Sequence, residues 1–121
     1  MNAILYVKPL SVNAAYQGRR FSTKEKKLFD RTVAAILPNC RVDGEYYRVL
    51  FDFHLTNFGG TDQDNLIKVL QDCIVRRGII SDDRRIVEHR IRKFPSDKNY
   101  IVVGIVGADK PVKANALQVG K

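Results

Sequence analysis

Residues 47–78 read YRVLFDFHLTNFGGTDQDNLIKVLQDCIVRRG and contain a predicted strand, a loop and a helix in succession. Over residues 47–55 apolar side chains alternate with polar ones, which predicts a strand with one buried face. From Leu66 onward apolar residues recur at helical spacing, so we expect a helix over about residues 64–77 with Gly78 at its C′ position. The loop at residues 57–60 therefore delivers the acidic motif of residues 62–68 to the start of this helix.

Patterns on either side of this stretch complete the predicted order of elements. A short apolar run at residues 3–7 predicts a strand, and residues 8–20 carry proline, glycine and polar residues typical of a loop. The capping-box pattern of residues 22–25 opens a helix that Pro38 ends. Two further strands are predicted at residues 86–94 and 100–106, paired antiparallel across residues 95–99.

The resulting order β-α-β-α-β-β indicates an α/β (α+β) single domain, with a mixed sheet of about four strands and two main helices packed on it. We expect this domain to occupy residues 1–106 and residues 107–121 to form a flexible C-terminal tail.

The chain is strongly basic. Its 121 residues carry 21 Lys and Arg against 13 Asp and Glu, a net charge of +8, which favours a polyanionic partner such as nucleic acid or an anionic membrane surface. No apolar run approaches the roughly 18 residues of a membrane span, and residues 1–10 lack the pattern of a signal peptide. We therefore expect a cytoplasmic protein that does not enter a membrane.

Carboxylates are concentrated in two places in this basic chain. Asp62 and Asp64 lie two residues apart, which on a continuous helix means a rotation of about 200°, so they converge only if the helix begins between them. A helix N-terminus also favours the ionised carboxylate that binds a hard cation. Asp82 and Asp83 follow the same helix and can join them only from a partner subunit or if the next strand returns along the helix.

The same residues also have structural interpretations. Asp is a preferred N-cap and turn residue, so on this pattern alone capping and turn roles account for these carboxylates as well as a metal site does. Lys68 has two possible roles: it can form an ion pair with Asp64, or its cation can stabilise negative charge on a phosphate. Asp72, one turn after Lys68, fits a residue that holds this lysine.

At these residues the chain resembles the RusA family of Holliday junction resolvases. The resemblance spans roughly residues 4–93 and includes a proline-containing N-terminal loop at residues 8–13, where the family's second proline is replaced by Leu10. Lys93 also fits. The family has a central motif, D-x-D-N-L-x-K, which is followed by an Asp, a Gly and an Asp-Asp pair. The motif corresponds here to Asp62, Asp64, Asn65, Leu66 and Lys68. The residues that follow it correspond to Asp72, Gly78, Asp82 and Asp83.

The resemblance implies a dimeric, magnesium-dependent endonuclease that acts on branched DNA. It assigns the metal-binding carboxylates to Asp62, Asp64 and Asp83, with Mg²⁺ as the cofactor and Mn²⁺ as a substitute. It makes Lys68 the catalytic cation and leaves Asp72 and Asp82 in supporting roles.

We therefore predict an endodeoxyribonuclease that resolves four-way DNA junctions as a homodimer by paired nicks. The alternative is a basic DNA-binding accessory protein whose acidic cluster is structural. The basic residues predicted to contact DNA are Arg19, Arg20, Lys24, Lys27, Arg76, Arg84 and Lys93.

Overall fold

A computed structural model describes residues 1–17, 21–62 and 64–114 of the chain. These residues form a mixed four-stranded sheet with two main helices, in the chain order predicted from the sequence. The predicted fold class is therefore confirmed.

The four sheet strands and the two main helices are numbered by their place in the chain. Their bounds are β1 (Asn2–Leu5), α2 (Lys24–Ile36), β4 (Tyr46–Leu55), α3 (Asp64–Arg77), β5 (Ile86–Pro95) and β6 (Tyr100–Ala108). A 3₁₀ turn, Asp83–Arg85, precedes β5. Strand β6 thus continues two residues beyond its predicted end, whereas residues 115–121 of the predicted tail lie outside the described part of the chain.

The segment before α2 is more ordered than predicted. A short helix α1 (Val12–Ala15) and a two-stranded ribbon of β2 (Tyr16–Gln17) and β3 (Phe21–Ser22) lie within or beside the predicted loop. The Thr23 hydroxyl donates to the carbonyl of Ala14 at 2.8 Å and accepts from the backbone N–H of Lys26 at 3.2 Å. One side chain therefore caps α2 and ties its first turn to α1.

The strands lie in the order β1-β6-β4-β5. The predicted antiparallel pairing of β5 with β6 is wrong, because β4 lies between them and pairs parallel with β5 and antiparallel with β6. The segment β4–α3–β5 is a parallel crossover in which α3 returns the chain to the starting end of the sheet. Consequently β5 runs from the C-terminal end of α3 back to its N-terminal end.

One face of the sheet packs against α2 and α3. Alternate residues of β4, from Tyr47 to Leu55, are buried together with Ile101, Val103 and Ile105 of β6. The apolar side of α3 covers them with Leu66, Val69, Leu70, Cys73 and Ile74. This packing fixes the ends of α3 relative to the ends of β4.

The opposite face of the sheet carries a neutralised charge pair and a row of rings. Arg92 on β5 donates twice to the buried carboxylate of Asp52 on β4, both at 2.7 Å. At the end of the sheet where β4 finishes, His54 stacks on Tyr100 with ring centroids 4.1 Å apart and on Phe94 at 4.9 Å. These contacts link β4 to both of its neighbours.

Candidate metal and DNA site

Asp62 and Asp64 lie at the junction between the loop after β4 and the first turn of α3. Both side chains are exposed, and Oδ1 of Asp62 accepts a hydrogen bond from the backbone N–H of Asp64 at 3.1 Å. This contact holds one carboxylate oxygen of Asp62 at the start of the helix, and such a contact is common for an Asp that precedes a helix. Asp64 begins α3, where the exposed N–H groups favour a negative charge.

Lys93 anchors the loop that carries Asp62. Its Nζ donates to the carbonyl oxygens of Phe58 at 2.9 Å and Thr61 at 2.7 Å, and it lies 4.6 Å from the centroid of the Phe58 ring. Lys93 reaches the loop because β5 returns along α3 and ends beside it. The sequence placed Lys93 among the DNA contacts, and nothing in the sequence pattern indicated its contacts to the loop.

Lys68 lies one turn beyond Asp64 on the exposed side of α3. Its ammonium is 3.6 Å from the carboxylate of Asp72, and 65% of its side chain is exposed. Of the two ion pairs considered from the sequence, the structure contains the one with Asp72. The weak, exposed contact leaves Lys68 able to turn toward a phosphate at the start of the helix.

Asp82 and Asp83 lie at the other end of α3. Asp82 caps the 3₁₀ turn by accepting from the backbone N–H of Arg84 at 2.9 Å, and it accepts from the Arg84 guanidinium at 2.7 and 3.0 Å. These hydrogen bonds lower the pKa of Asp82 to about 2. The turn is tied to the start of β4, since Arg85 donates to the carbonyl of Glu45 at 2.9 Å and Ser81 contacts the Tyr47 hydroxyl.

The two acidic pairs of the chain are therefore far apart. Helix α3 has 14 residues, so its ends are about 20 Å apart, and the ten-residue strand β4 spans about 30 Å. Within residues 1–17, 21–62 and 64–114, no three Asp, Glu, His or Cys side chains cluster closely enough to hold a metal ion. The return of β5 along α3 brings Lys93, and not Asp83, to the Asp62 end.

Asp62 and Asp64 nevertheless fit a magnesium ion. Mg²⁺ in nucleic-acid enzymes is held by one or two carboxylates, while waters and substrate phosphates complete its octahedral shell. Two exposed carboxylates at one helix start provide such a donor set, and their oxygen chemistry matches this hard cation.

Apart from Lys93, the predicted DNA contacts fall into three groups. Lys24 and Lys27 are exposed on α2, with no acidic partner among the described residues. Arg76 lies 3.3 Å from Asp30 of α2, and Arg84 is paired with Asp82, so both charges are partly neutralised. Arg19 and Arg20 lie outside the described residues.

Comparisons with known proteins agree with the motif in α3. The family model described as Endodeoxyribonuclease RusA matches residues 59–106, which run from the loop before Asp62 through most of β6. No curated protein matches the chain. In the part of the chain that the structure describes, none of the helices combines the length and the apolar character needed to span a membrane. Over residues 59–106, which carry both acidic pairs and Lys68, the chain is similar to the RusA family of endodeoxyribonucleases.

Proposed function

We propose that the protein is a magnesium-dependent endonuclease that resolves four-way DNA junctions. The observation that carries this proposal is the pair Asp62 and Asp64, presented on an anchored loop at a helix start inside the RusA-family segment. The charge of +8 supports a phosphate backbone as the substrate.

Each residue of the site would have a separate role. Asp62 and Asp64 would hold Mg²⁺, and Lys93 would keep the Asp62 loop in position. When bound, the ion supplies an activated water and neutralises charge on the phosphoryl oxygens. Lys68 would stabilise the negative charge of the transition state, and the P–O3′ bond would break to leave 5′-phosphate and 3′-hydroxyl ends. Mn²⁺ would substitute for Mg²⁺.

The third carboxylate, Asp83, would come from a partner subunit. Because Asp83 lies about one length of α3 away from Asp62 in its own chain, it would complete the site only across a dimer. A symmetric pair would then contain two such shared sites, which matches the two opposed nicks that resolution requires. The apolar side of α3 is buried in its own subunit, so the dimer interface would use another surface.

A synthetic mobile four-way junction, incubated with and without Mg²⁺, tests this function. We expect paired nicks with the metal only, and a loss of at least about a hundredfold in rate for Asp62→Asn, Asp64→Asn or Asp83→Asn. Lys68→Ala should slow cutting by about tenfold or more. Asp97→Asn, an exposed carboxylate in the β5–β6 loop, is the matched control and should cut normally.

An accessory DNA-binding role is the second candidate. It is favoured by the engagement of Asp82 with Arg84 in a turn far from Asp62. This role requires that the junction is bound but never nicked, with or without Mg²⁺. Wild-type binding without nicking would therefore reject the nuclease and support the accessory role.

A further inference from the structure

A groove opens beside Asp62 on the helix side of the sheet. It has a volume of about 610 Å³ and is bounded by the loop after β1, the first half of α2 and the loop that carries Asp62. Asp62 itself is one of the residues that line the groove, so the groove adjoins the proposed cleavage site. Its volume is within the range of small-ligand pockets.

One wall of the groove is apolar. Pro9, Leu10, Leu28 and Phe29 contribute to this wall, and Leu28 is its exposed member, whereas Pro9 and Phe29 are buried. Leu28 is 62% exposed on an otherwise amphipathic helix, so its side chain is not used to hold α2 on the sheet. A flat, apolar group that enters the groove would cover the Leu28 side chain and remove it from water.

The facing rim carries polar groups with unused hydrogen-bonding capacity. The Thr61 hydroxyl donates to the carbonyl of Asn57 at 2.7 Å and so retains its acceptor lone pairs. Within the described residues, the side-chain amide of Asn57 makes no hydrogen bond, which leaves both donor and acceptor available. A Cβ at Gly60 would lie 2.7 Å from this amide and would clash with it. The amide can therefore occupy its observed position only because residue 60 is a glycine.

We propose that this groove holds one unstacked nucleobase of the DNA next to the phosphate bound at Asp62. A base combines apolar faces, which suit the Leu28 wall, with a polar edge, which suits Asn57 and Thr61. A duplex about 20 Å wide cannot enter so small a groove, so the base must have left its stack, as it does in enzymes that extrude bases. The point of strand exchange in a junction, where stacking is interrupted, supplies such a base at the lowest cost.

This inference rests on the proposed function, and its test separates the two. Junctions carrying 2-aminopurine at single positions around the exchange point are bound without divalent metal, and their fluorescence and anisotropy are measured. The chain has no tryptophan, so the signal has little protein background. We expect a severalfold rise in emission at one position with wild-type protein, as the base leaves the stack.

Two variants identify the groove as the place where the base lies. Leu28→Ala should remove most of the rise and weaken binding by about two- to tenfold, because the apolar wall is lost. Ile36→Ala is the matched control, since Ile36 is an aliphatic residue on the same helix, 39% exposed, and does not line the groove. It should retain the rise, and both variants should keep the wild-type melting temperature.

Each alternative outcome is distinct. Wild-type protein that binds and cuts the junction while 2-aminopurine stays quenched at every position overturns the groove assignment and leaves the nuclease intact. A rise that Leu28→Ala does not reduce overturns it as well, since the base then unstacks elsewhere. Binding with the expected rise but no cutting in Mg²⁺ supports the groove and rejects the nuclease. No binding at all rejects both.

Discussion

Lys93 is the residue whose role changed most between sequence and structure. Its two hydrogen bonds to the carbonyls of Phe58 and Thr61 hold the loop that carries Asp62. Hydrogen bonds from a charged donor are worth about 1.5–3 kcal/mol each, so their loss should loosen this loop before it unfolds the domain.

Lys93→Met should therefore slow cutting and accelerate amide hydrogen exchange in residues 56–62. Methionine keeps the length of the side chain and removes the donors. Lys98→Met, at an exposed lysine in the β5–β6 loop, is the control and should change neither quantity. If Lys93→Met slows cutting while exchange in the loop stays at the wild-type rate, Lys93 acts on DNA directly and not through the loop.

Asp82 provides a prediction on pH. Hydrogen bonds from Arg84 lower its pKa to about 2, from 3.8, so the pair adds stability above the higher value and loses this contribution as the pH falls toward 2. Arg84→Ala should raise the pKa of Asp82 from about 2 toward its ordinary value, because the guanidinium is lost while the backbone N–H of residue 84 still donates. An NMR titration of the side-chain carboxyl would measure this change. A carboxyl that still titrates near 2 in this variant would show that the Arg84 guanidinium is not the cause.

At the scale of elements, Asp30 joins the two main helices. Its carboxylate on α2 accepts from Lys26 one turn earlier, and from the Cys73 thiol at 3.2 Å and Arg76 at 3.3 Å, both on α3. Although burial by itself would raise the pKa of Asp30, these hydrogen bonds lower it overall. Burial and the contact with Asp30 raise the pKa of the Cys73 thiol to about 12.

Removal of Asp30 should therefore loosen the contact between α2 and α3. We expect Asp30→Ala to lower the free energy of unfolding by about 2–3 kcal/mol, because the buried Lys26 loses this partner. Urea unfolding measures the change, and Asp109→Ala, at an exposed site, should leave the free energy near the wild-type value. A loss below about 0.5 kcal/mol for Asp30→Ala would mean that the contact does not hold the helices together.

The same contact predicts the reactivity of the two cysteines. In the folded protein an alkylating reagent at mildly alkaline pH should modify the exposed Cys40 and leave Cys73 unmodified, because the thiolate is the reactive form. Peptide mass spectrometry measures the extent of alkylation at both cysteines. Modification of Cys73 as fast as Cys40 would contradict the buried, hydrogen-bonded thiol.

Elements with a strong local pattern were predicted almost to the residue. Helix α3 has the predicted bounds because its apolar period ends at Gly78, whose φ of +82° suits a residue without a side chain. The pairing of β5 was mispredicted because a short link between two strands normally indicates a hairpin. The order of strands in the sheet depends instead on how all the strands pack in the core, and here β4 lies between β5 and β6. The positions of the acidic residues were predicted in part for the same reason. Local spacing predicted that Asp62 and Asp64 lie together, whereas the topology was needed to show that the returning strand β5 brings Lys93, and not Asp83, to them.

At the scale of the whole molecule, the charge of +8 predicts salt-dependent binding. Each neutralised phosphate contributes about −0.9 to the slope of log K against log salt concentration, so affinity for a junction should fall steeply between low and moderate salt. Replacing Lys24 and Lys27 with Gln should make the slope shallower by up to about 1.8, whereas the same change at the exposed Lys110 and Lys113 should not. A binding constant independent of salt would contradict a backbone-dominated interface.

The measurement that tests the shared site most directly mixes two inactive variants. With Asp64→Asn in one subunit and Asp83→Asn in the other, a mixed dimer contains one site with both changes and one site with neither. Random exchange of subunits would then restore about a quarter of all sites, whereas each variant alone would have none. We expect Mg²⁺-dependent nicking of one strand in the mixture and no nicking by either parent. A mixture as inactive as its parents would contradict a site built from Asp62 and Asp64 of one subunit and Asp83 of the other.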